Sequence, residues 1–242
     1  MDNTNGQKRI IKKRRLNIKR VFILTLVLFI ISVAIYYAFE LEVTSVTVSG
    51  ANYVNDSEII KSSKILKRKF LMVTSHSACK NIKQNDFINT CKIKKSWWLK
   101  INIIVTENKP LFIYTQTDKA MLSNGKETSK KNISGIPTLI NYVPKDVLSK
   151  FVLGLKDINN DIIQSISEIE YAPSLNEDGS LIDEERFMMT MNDGNIVYIN
   201  NRNIKVLNKY EKIYASIGNK KGYFNFDADY DNYYFQEFGE EE

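Results

Sequence analysis

The chain has 242 residues, of which 43% are hydrophobic and 26% charged, and its formal net charge is +6. Eight of its bases and only one of its acids lie in residues 1–20, so the rest of the chain has a net charge of −1. The excess of positive charge in the whole chain therefore belongs mostly to its first 20 residues, which argues against a protein that binds nucleic acid.

Residues 21–39 form an uninterrupted apolar segment, VFILTLVLFIISVAIYYAF, without a charged side chain. As a helix rising about 1.5 Å per residue it is roughly 28 Å long, close to the hydrocarbon thickness of about 30 Å. A cleaved signal peptide is the alternative, but its apolar part is typically about 7–15 residues long and ends in small residues. This segment ends in Tyr-Tyr-Ala-Phe, so we predict a retained transmembrane helix.

The charges that flank this segment predict its orientation. The basic residues 1–20 precede it, whereas Glu40 and Glu42 follow it. Positively charged flanks stay in the cytoplasm, so residues 1–20 are predicted to be a cytoplasmic tail and the chain after Leu41 to lie outside the cell membrane. The expected neighbour of the tail is the anionic inner leaflet.

The part outside the membrane divides by charge into two modules, because residues 41–109 have a net charge of +7 and residues 110–242 a net charge of −7. The first has the pattern of a small domain with the order β-α-(β)-α-β-β. Its predicted elements are a strand at 43–48, a helix beginning near Asn55, an extended piece at 70–73, a helix between Ser77 and Phe87, and strands at 87–94 and 99–106.

The second module, residues 110–232, is predicted to be a mainly antiparallel β-domain with two packed helices. Asn124-Gly125 and Asp193-Gly194 each separate two β-type segments, as is typical of tight hairpins. One helix begins at Pro144, and another carries apolar residues on one face between 206 and 217. A last strand covers 222–227, and the acidic residues 233–242 are predicted to be disordered. The predicted fold class is α+β.

Several short motifs then occur in a characteristic order. They are VTVSGAN at 46–52, a turn containing Trp97, Glu107-x-x-Pro110, Gly-Ile-Pro at 135–137, and a closing strand from Gly222 to Asp227. With the anchor in front of them, these motifs resemble the FtsQ/DivIB family of bacterial cell-division proteins, in which a POTRA domain precedes a β-domain. Trp98 departs from the family pattern, which usually has proline there.

The resemblance implies a non-catalytic scaffold in septum formation. Such a protein binds small bitopic division proteins of the FtsB/DivIC and FtsL types and positions or stabilises the septal peptidoglycan synthesis complex, which includes a penicillin-binding protein. It is expected in the cell membrane, with a single span, at the division septum. The alternatives are a POTRA-bearing extracytoplasmic sensor or secretion or chaperone component, and an anchored wall hydrolase or transferase.

Residue patterns typical of catalysis are few. His76 is the only histidine. The pattern Ser-x-x-Lys begins at Ser77 and at Ser123, but the Lys-Thr-Gly motif that accompanies it in transpeptidases does not occur. The sequence has neither a P-loop nor a spaced set of metal ligands. We therefore predict no enzyme activity, cofactor, metal or small-molecule substrate.

Cys79 and Cys91 are the only cysteines, and both lie in the part predicted to be outside the cell membrane. A disulfide between them and a pair of buried free thiols are both compatible with the sequence. Closing a loop of this length by a disulfide contributes about 3 kcal/mol of stability in the chain-entropy account.

The C-terminal strand is the best candidate for a binding surface, because an edge strand offers unpaired backbone groups to a strand of a partner. The resemblance also places the binding of the small bitopic partners at the end of the β-domain. The candidate residues are Gly222, Tyr223, Phe224, Asn225, Phe226, Asp227 and Tyr230. A second, basic surface contains Lys61, Lys64, Lys67, Arg68 and Lys69, for which anionic lipid, wall polymer and plain solvent are the alternatives.

Overall fold

The structure, a computed structural model, describes residues 17–131, 133–228 and 233–239. It begins with helix α1, Ile18–Glu40, whose 23 residues include none that is buried. Within the described ranges, α1 is the one helix that is long and apolar enough to cross a membrane, by length and composition. The predicted cytoplasmic tail falls mainly on residues 1–16, which lie outside the described ranges.

The first folded domain follows α1 directly and has the predicted element order with one change. Its elements are β1 Ser45–Ser49, α2 Asp56–Ser63, a 3-10 helix Phe70–Met72, α3 Ser75–Ile82, β2 Ile88–Ser96 and β3 Lys100–Glu107. The expectation of an extended piece at 70–73 was wrong, because the backbone N–H groups of Met72 and Val73 bond back to Lys69 and Phe70 and close a turn.

The sheet of this domain has the strand order β1-β3-β2. Strand β1 is parallel to β3, with Ser45 opposite Lys100, and β2 and β3 form an antiparallel hairpin. Isoleucines from helices and strands, Ile59, Ile82, Ile101 and Ile103, are almost completely buried between the helices and the sheet. The alternation of buried and exposed residues along β3 is what this one-sided packing requires.

The second domain contains a sheet of nine strands flanked by helices. Its elements are β4 Pro110–Tyr114, β5 Lys119–Leu122, β6 Glu127–Ser129, β7 Thr138–Leu139, α4 Lys145–Leu155, α5 Asn160–Gln164, β8 Ile166–Tyr171, β9 Ser174–Leu175, β10 Leu181–Asp183, β11 Arg186–Met191, β12 Ile196–Asn200, a 3-10 helix Ile204–Lys209, α6 Tyr210–Ser216, β13 Gly222–Asn225 and β14 Tyr234–Glu237.

The strand order of this sheet is β14-β13-β12-β11-β8-β7-β4-β5-β6, and β9 and β10 form a separate ribbon. Three of its eight pairings are parallel, namely β4 with β7, β7 with β8, and β12 with β13. The remaining pairings are antiparallel, in agreement with the predicted mainly antiparallel domain. The α+β fold class is confirmed.

Helix α4 covers the middle of the sheet with the apolar face that the sequence predicts. The Phe151 ring stacks on Phe187 of β11 with ring centroids 3.9 Å apart, and both side chains are completely buried. Pro144 is the N-cap of α4, so the helix proper begins one residue later than expected. This core fixes β11 and β12, and these strands in turn carry the C-terminal strands.

The two domains meet where β3 passes into β4. The Lys109 ammonium donates a hydrogen bond to the backbone carbonyl of Ile158, and burial lowers the pKa of Lys109. Lys126 forms an ion pair with Asp86 at 2.8 Å across the same junction. The first contact ties the link between β3 and β4 to the segment between α4 and α5, and the second ties the first domain to the hairpin between β5 and β6.

The C-terminal segment contains a strand that was not expected from the sequence. Residues 233–242 were expected to be a disordered tail, and this was wrong for Tyr234–Glu237, which form β14 and pair with β13. The physical reason is the apolar contact of Phe235, whose ring packs on Phe224 with centroids 4.9 Å apart. The acidic end of the tail, residues 240–242, lies outside the described ranges.

Candidate functional site

Strand β13 holds most of the predicted binding residues, but it is an interior strand of the sheet. It pairs in parallel with β12, Val197 lying opposite Phe224, and it pairs in antiparallel fashion with β14. The expectation that residues 222–227 form an exposed edge was therefore wrong, because both sides of β13 are occupied. Tyr230 lies outside the described residues.

The side chains of this segment serve mainly as core. Phe224 is completely buried and contacts Tyr210 and Phe235, with ring centroids 5.1 and 4.9 Å away. Phe226 and Asn225 are also buried. Tyr223 alone in β13 has a half-buried aromatic ring, which lies edge-on to Phe238 at 4.8 Å. The aromatic residues thus fix the end of the sheet and leave little for direct contact with a partner.

Asp227 anchors the chain immediately after β13. Its carboxylate accepts a hydrogen bond from Arg186 Nε at 2.6 Å, and the two side chains are only 18% and 20% exposed. The Arg186 guanidinium also lies 4.0 Å from the centre of the Tyr198 ring. The backbone carbonyl of Asp227 accepts a further hydrogen bond from Asn200 at 3.0 Å. Asp227 is therefore held by β11 and β12 and is not available to a partner.

The beginning of β13 is held by a buried polar group. The Asn195 side chain is completely buried, accepts the Gly222 N–H at 2.9 Å and donates to the Tyr210 hydroxyl at 2.8 Å. That hydroxyl donates to Asp193 at 2.6 Å, and burial together with Asp193 raises the pKa of Tyr210. Asp193 and Asn195, in the hairpin between β11 and β12, thereby set the position of β13.

Gly222 allows β14 to approach β13 closely. A Cβ atom at this position would lie 2.0 Å from the backbone oxygen of Gln236 and 2.8 Å from the Phe235 ring. Since the nearest of these atoms belongs to backbone, no larger residue fits here without moving β14. Gly222 therefore serves the docking of β14, a strand of the same chain.

The outer side of β14 is the free edge of the sheet among the described residues. Phe238 donates its backbone N–H to the Lys221 carbonyl at 3.1 Å, which makes these two residues a hydrogen-bonded pair. Such pairs alternate along antiparallel strands, so the backbone groups of Phe235 and Glu237 point away from β13. They offer two N–H and two C=O groups to a further strand.

Exposed aromatic rings accompany these backbone groups. Tyr234 is 60% exposed, and Tyr233 and Phe238 are also exposed. Glu237 forms an ion pair with Lys220 at 2.6 Å at the end of the strand. The tail therefore combines an unpaired strand edge with apolar surface on both sides of it. The aromatic residues Tyr233, Tyr234 and Phe235 were the signal for a strand, but the acidic composition of the tail hid it.

The other residues considered for chemistry are not brought together. His76 is exposed on α3, and Ser123 donates its backbone N–H to Lys109 while Lys126 pairs with Asp86. Within the described ranges, no group of three or more His, Cys, Asp or Glu residues has the spacing of a metal site. Cys79 and Cys91, whose state the sequence left open, are joined by a disulfide that links α3 to β2.

Comparison with known proteins identifies the family. The family described as POTRA domain, FtsQ-type, matches residues 41–108. The cell division protein DivIB of Bacillus subtilis (strain 168) is 30% identical over 242 residues, covering 94% of this chain and 87% of that protein. The chain belongs to the DivIB family. It is accordingly a non-enzymatic division protein with an FtsQ-type POTRA domain, and the resemblance inferred from the motifs is confirmed.

Other DivIB proteins are similar over different lengths. DivIB of Pediococcus pentosaceus is 27% identical over 228 residues, covering 89% of this chain but 60% of that protein. Among solved structures, the major extracytoplasmic domain of the trans isomer of DivIB from Geobacillus stearothermophilus is 22% identical, with a TM-score of 0.37. It covers 47% of this chain and 97% of that structure.

Proposed function

We propose that this DivIB-family chain is a membrane-anchored scaffold of the division complex that binds a strand of a small bitopic division protein along the outer edge of β14. The observation that carries the proposal is the pair of outward-facing backbone sites at Phe235 and Glu237 on the last strand of the sheet. A partner strand of the FtsB/DivIC or FtsL type satisfies these groups by extending the sheet.

The anchor in this proposal is α1. Its length and composition suit a bilayer, and the bases of residues 1–20 favour a cytoplasmic N-terminus. Both folded domains are then outside the cell membrane, where a disulfide between Cys79 and Cys91 persists. In this position the chain holds its partners beside the septal peptidoglycan synthesis complex and its penicillin-binding protein.

The aromatic residues around β14 add affinity and selectivity to the backbone pairing. Tyr234 and Phe238 are exposed and lie beside the edge, where a partner strand covers them. Burial of such rings contributes about 25 cal/mol per Å² of apolar area. The division-related role follows from family membership, so the sensor, secretion and chaperone alternatives are not retained.

A fluorescent fusion tests the septal part of the proposal. A fluorescent protein joined to the N-terminus of the full chain is expected to give a band at midcell in dividing cells, because the scaffold assembles with its partners there. A matched fusion that ends after Leu41 is expected to label the envelope evenly, since it retains only the anchor. Even labelling by the full-length fusion would contradict a role at the septum.

A further inference from the structure

The turn between β2 and β3 presents the two tryptophans of the chain to the outside. Trp97 is 88% exposed and Trp98 is 85% exposed. Burying an indole ring is strongly favourable, and tryptophan in a folded domain normally contributes to a core or an interface. Two adjacent indoles in full contact with water therefore indicate a surface that is covered in the working protein.

The backbone of this turn does not favour bulky residues. Trp98 and Leu99 both have positive φ angles, +66° and +59°, in the left-handed region where glycine and asparagine are preferred. The chain thus carries a large aromatic side chain at a position where a smaller residue would be less strained. Strain of this kind at an exposed position points to a functional contact.

The topology of the first sheet places this turn at the end of the domain that faces α1. Strand β1 begins at Ser45, five residues after the end of α1, and runs parallel to β3 with Ser45 opposite Lys100. The turn that precedes Lys100 therefore lies at the end of the sheet where the chain arrives from the helix. Because β1 starts at this end of the sheet, the turn lies on the α1 side of the domain at any tilt of the sheet relative to α1.

Hydrogen bonds hold the turn and the helix end together. Thr44 donates its backbone N–H to Leu99 O at 3.0 Å and its hydroxyl to Trp98 O at 2.9 Å. Because Thr44 is four residues beyond Glu40, it lies within about 14 Å of the end of α1. The Lys69–Glu40 ion pair at 2.6 Å adds a second link to the helix end and raises the pKa of Lys69. The turn is therefore close to the level at which α1 leaves the hydrocarbon.

Apolar and basic residues surround the two indoles. Phe70 of the 3-10 helix lines a shallow pocket together with Trp97 and Trp98, and the Lys95 ammonium lies 5.1 Å from the centre of the Phe70 ring. Leu71 and Met72, which follow Phe70 in the same helix, are exposed. The exposed bases of this region are Lys67, Arg68, Lys94, Lys95 and Lys100. The acids at the same end are Glu40, which pairs with Lys69, and Glu42. The surface thus has an apolar centre and a basic surround.

We propose that Trp97 and Trp98, together with Leu71 and Met72, form a second membrane contact that holds the POTRA domain against the outer leaflet beside α1. Tryptophan prefers the interface between headgroups and acyl chains, and neighbouring bases bind anionic headgroups. The contact rests on the proposed function in that α1 spans the membrane. It fixes the orientation of the POTRA domain relative to the bilayer.

The test uses the intrinsic fluorescence of the full-length chain, in which every tryptophan signal comes from this turn. The chain is reconstituted into vesicles of phosphatidylcholine and phosphatidylglycerol, with or without lipid brominated in the upper acyl chain. A blue-shifted emission, quenching by the brominated lipid and protection from aqueous acrylamide are expected. Emission typical of water-exposed indole, unaffected by brominated lipid, would overturn the proposal and leave a protein or wall polymer as the occupant.

Variants separate the two indoles and the basic surround. Trp97→Phe and Trp98→Phe each leave a single reporter, and both reporters are expected to be quenched. The double variant Lys67→Glu, Arg68→Glu is expected to show weaker quenching in vesicles that contain phosphatidylglycerol. In vesicles of phosphatidylcholine alone its quenching is expected to be almost unchanged. Lys212→Glu is the control, because Lys212 is an exposed charge on α6 of the second domain. It is expected to leave the quenching unchanged in both kinds of vesicle. If the double variant and the control weakened quenching equally, the bases around the indoles would not contribute to binding of the anionic lipid.

Flotation of the same vesicles keeps this inference distinct from the proposed function. If α1 does not insert, the chain separates from the vesicles after an alkaline wash, and the membrane anchor itself is wrong. If the chain floats with the vesicles but its indoles remain exposed to water, the anchor stands and the second contact is wrong.

Discussion

Replacing Glu107 by alanine is expected to lower the free energy of unfolding of the POTRA domain by about 3 kcal/mol, since hydrogen bonds to a charged group contribute about 1.5–3 kcal/mol each and water replaces part of them. The Glu107 carboxylate accepts three consecutive backbone N–H groups, from Asn52 at 2.7 Å, Tyr53 at 2.8 Å and Val54 at 2.9 Å. The substitution leaves all three without their partner.

Besides these hydrogen bonds, the loop that Glu107 holds is supported by Tyr53, whose ring stacks on Phe87 with centroids 6.0 Å apart. It begins at Gly50, whose φ angle is +87° and whose Cβ position would lie 2.2 Å from the backbone oxygen of Val105, so the chain turns sharply against β3. Val54 at its end is buried in the core of the domain. Loss of the carboxylate is therefore expected to release the loop and then the start of α2.

Denaturant unfolding of the full-length chain measures this effect, and hydrogen exchange at residues 52–54 localises it. Glu107→Gln retains one acceptor oxygen, so its free energy of unfolding is expected to fall by less than that of the alanine variant. Glu127→Ala, which removes an ion pair with Lys119 at 3.6 Å, is the matched control and is expected to change stability by less than about 1 kcal/mol. An alanine variant at 107 as stable as this control would contradict the assigned role.

Replacing Glu237 by proline is expected to weaken binding of the bitopic partner by about tenfold to a hundredfold. Proline removes the outward-facing N–H of Glu237, which leaves a carbonyl of the added strand without its donor, at a cost of about 1–3 kcal/mol. The pairing of β14 with β13 is retained, because the hydrogen bonds to β13 come from the neighbouring positions. The measurement is binding of the extracytoplasmic segment of the DivIC-type protein from the same cell to the full-length chain.

Glu237→Ala is the matched control for this variant. It removes the same ion pair with Lys220 but keeps the backbone N–H, so it is expected to change the affinity by less than about threefold. Hydrogen exchange in β13 reports whether β14 remains docked in both variants. If proline and alanine weaken binding equally while β14 stays docked, backbone pairing at this edge does not bind the partner.

The sequence predicted those elements whose patterns are local. The apolar run of α1, the alternation along β3 and the Asp193-Gly194 hairpin each reveal their structure within a few residues. The parallel pairing of β12 with β13 was not predictable in this way. It depends on α6 crossing between the two strands, and nothing in the residues of β13 distinguishes a parallel from an antiparallel neighbour.

The sequence indicated the candidate site only as a region. Aromatic residues from Tyr223 to Phe226 indicated an important strand, but the packing of Phe224 depends on Tyr210 and Phe235, which come from other elements. The state of Cys79 and Cys91 was likewise undecided, because it depends on the Cα–Cα distance of 5.6 Å between α3 and β2. Both features arise from tertiary packing, so no pattern of neighbouring residues in the sequence predicts them.

Site-specific crosslinking in living cells tests the central proposal most directly. A photoreactive residue is placed at Tyr234 on β14 and, as a matched position, at Ser129 on β6, the strand at the opposite end of the same sheet. The residue at position 234 is expected to form an adduct with a small bitopic division protein, and the residue at position 129 is not. Adducts from both positions alike, or from Ser129 alone, would contradict a partner-binding edge at β14.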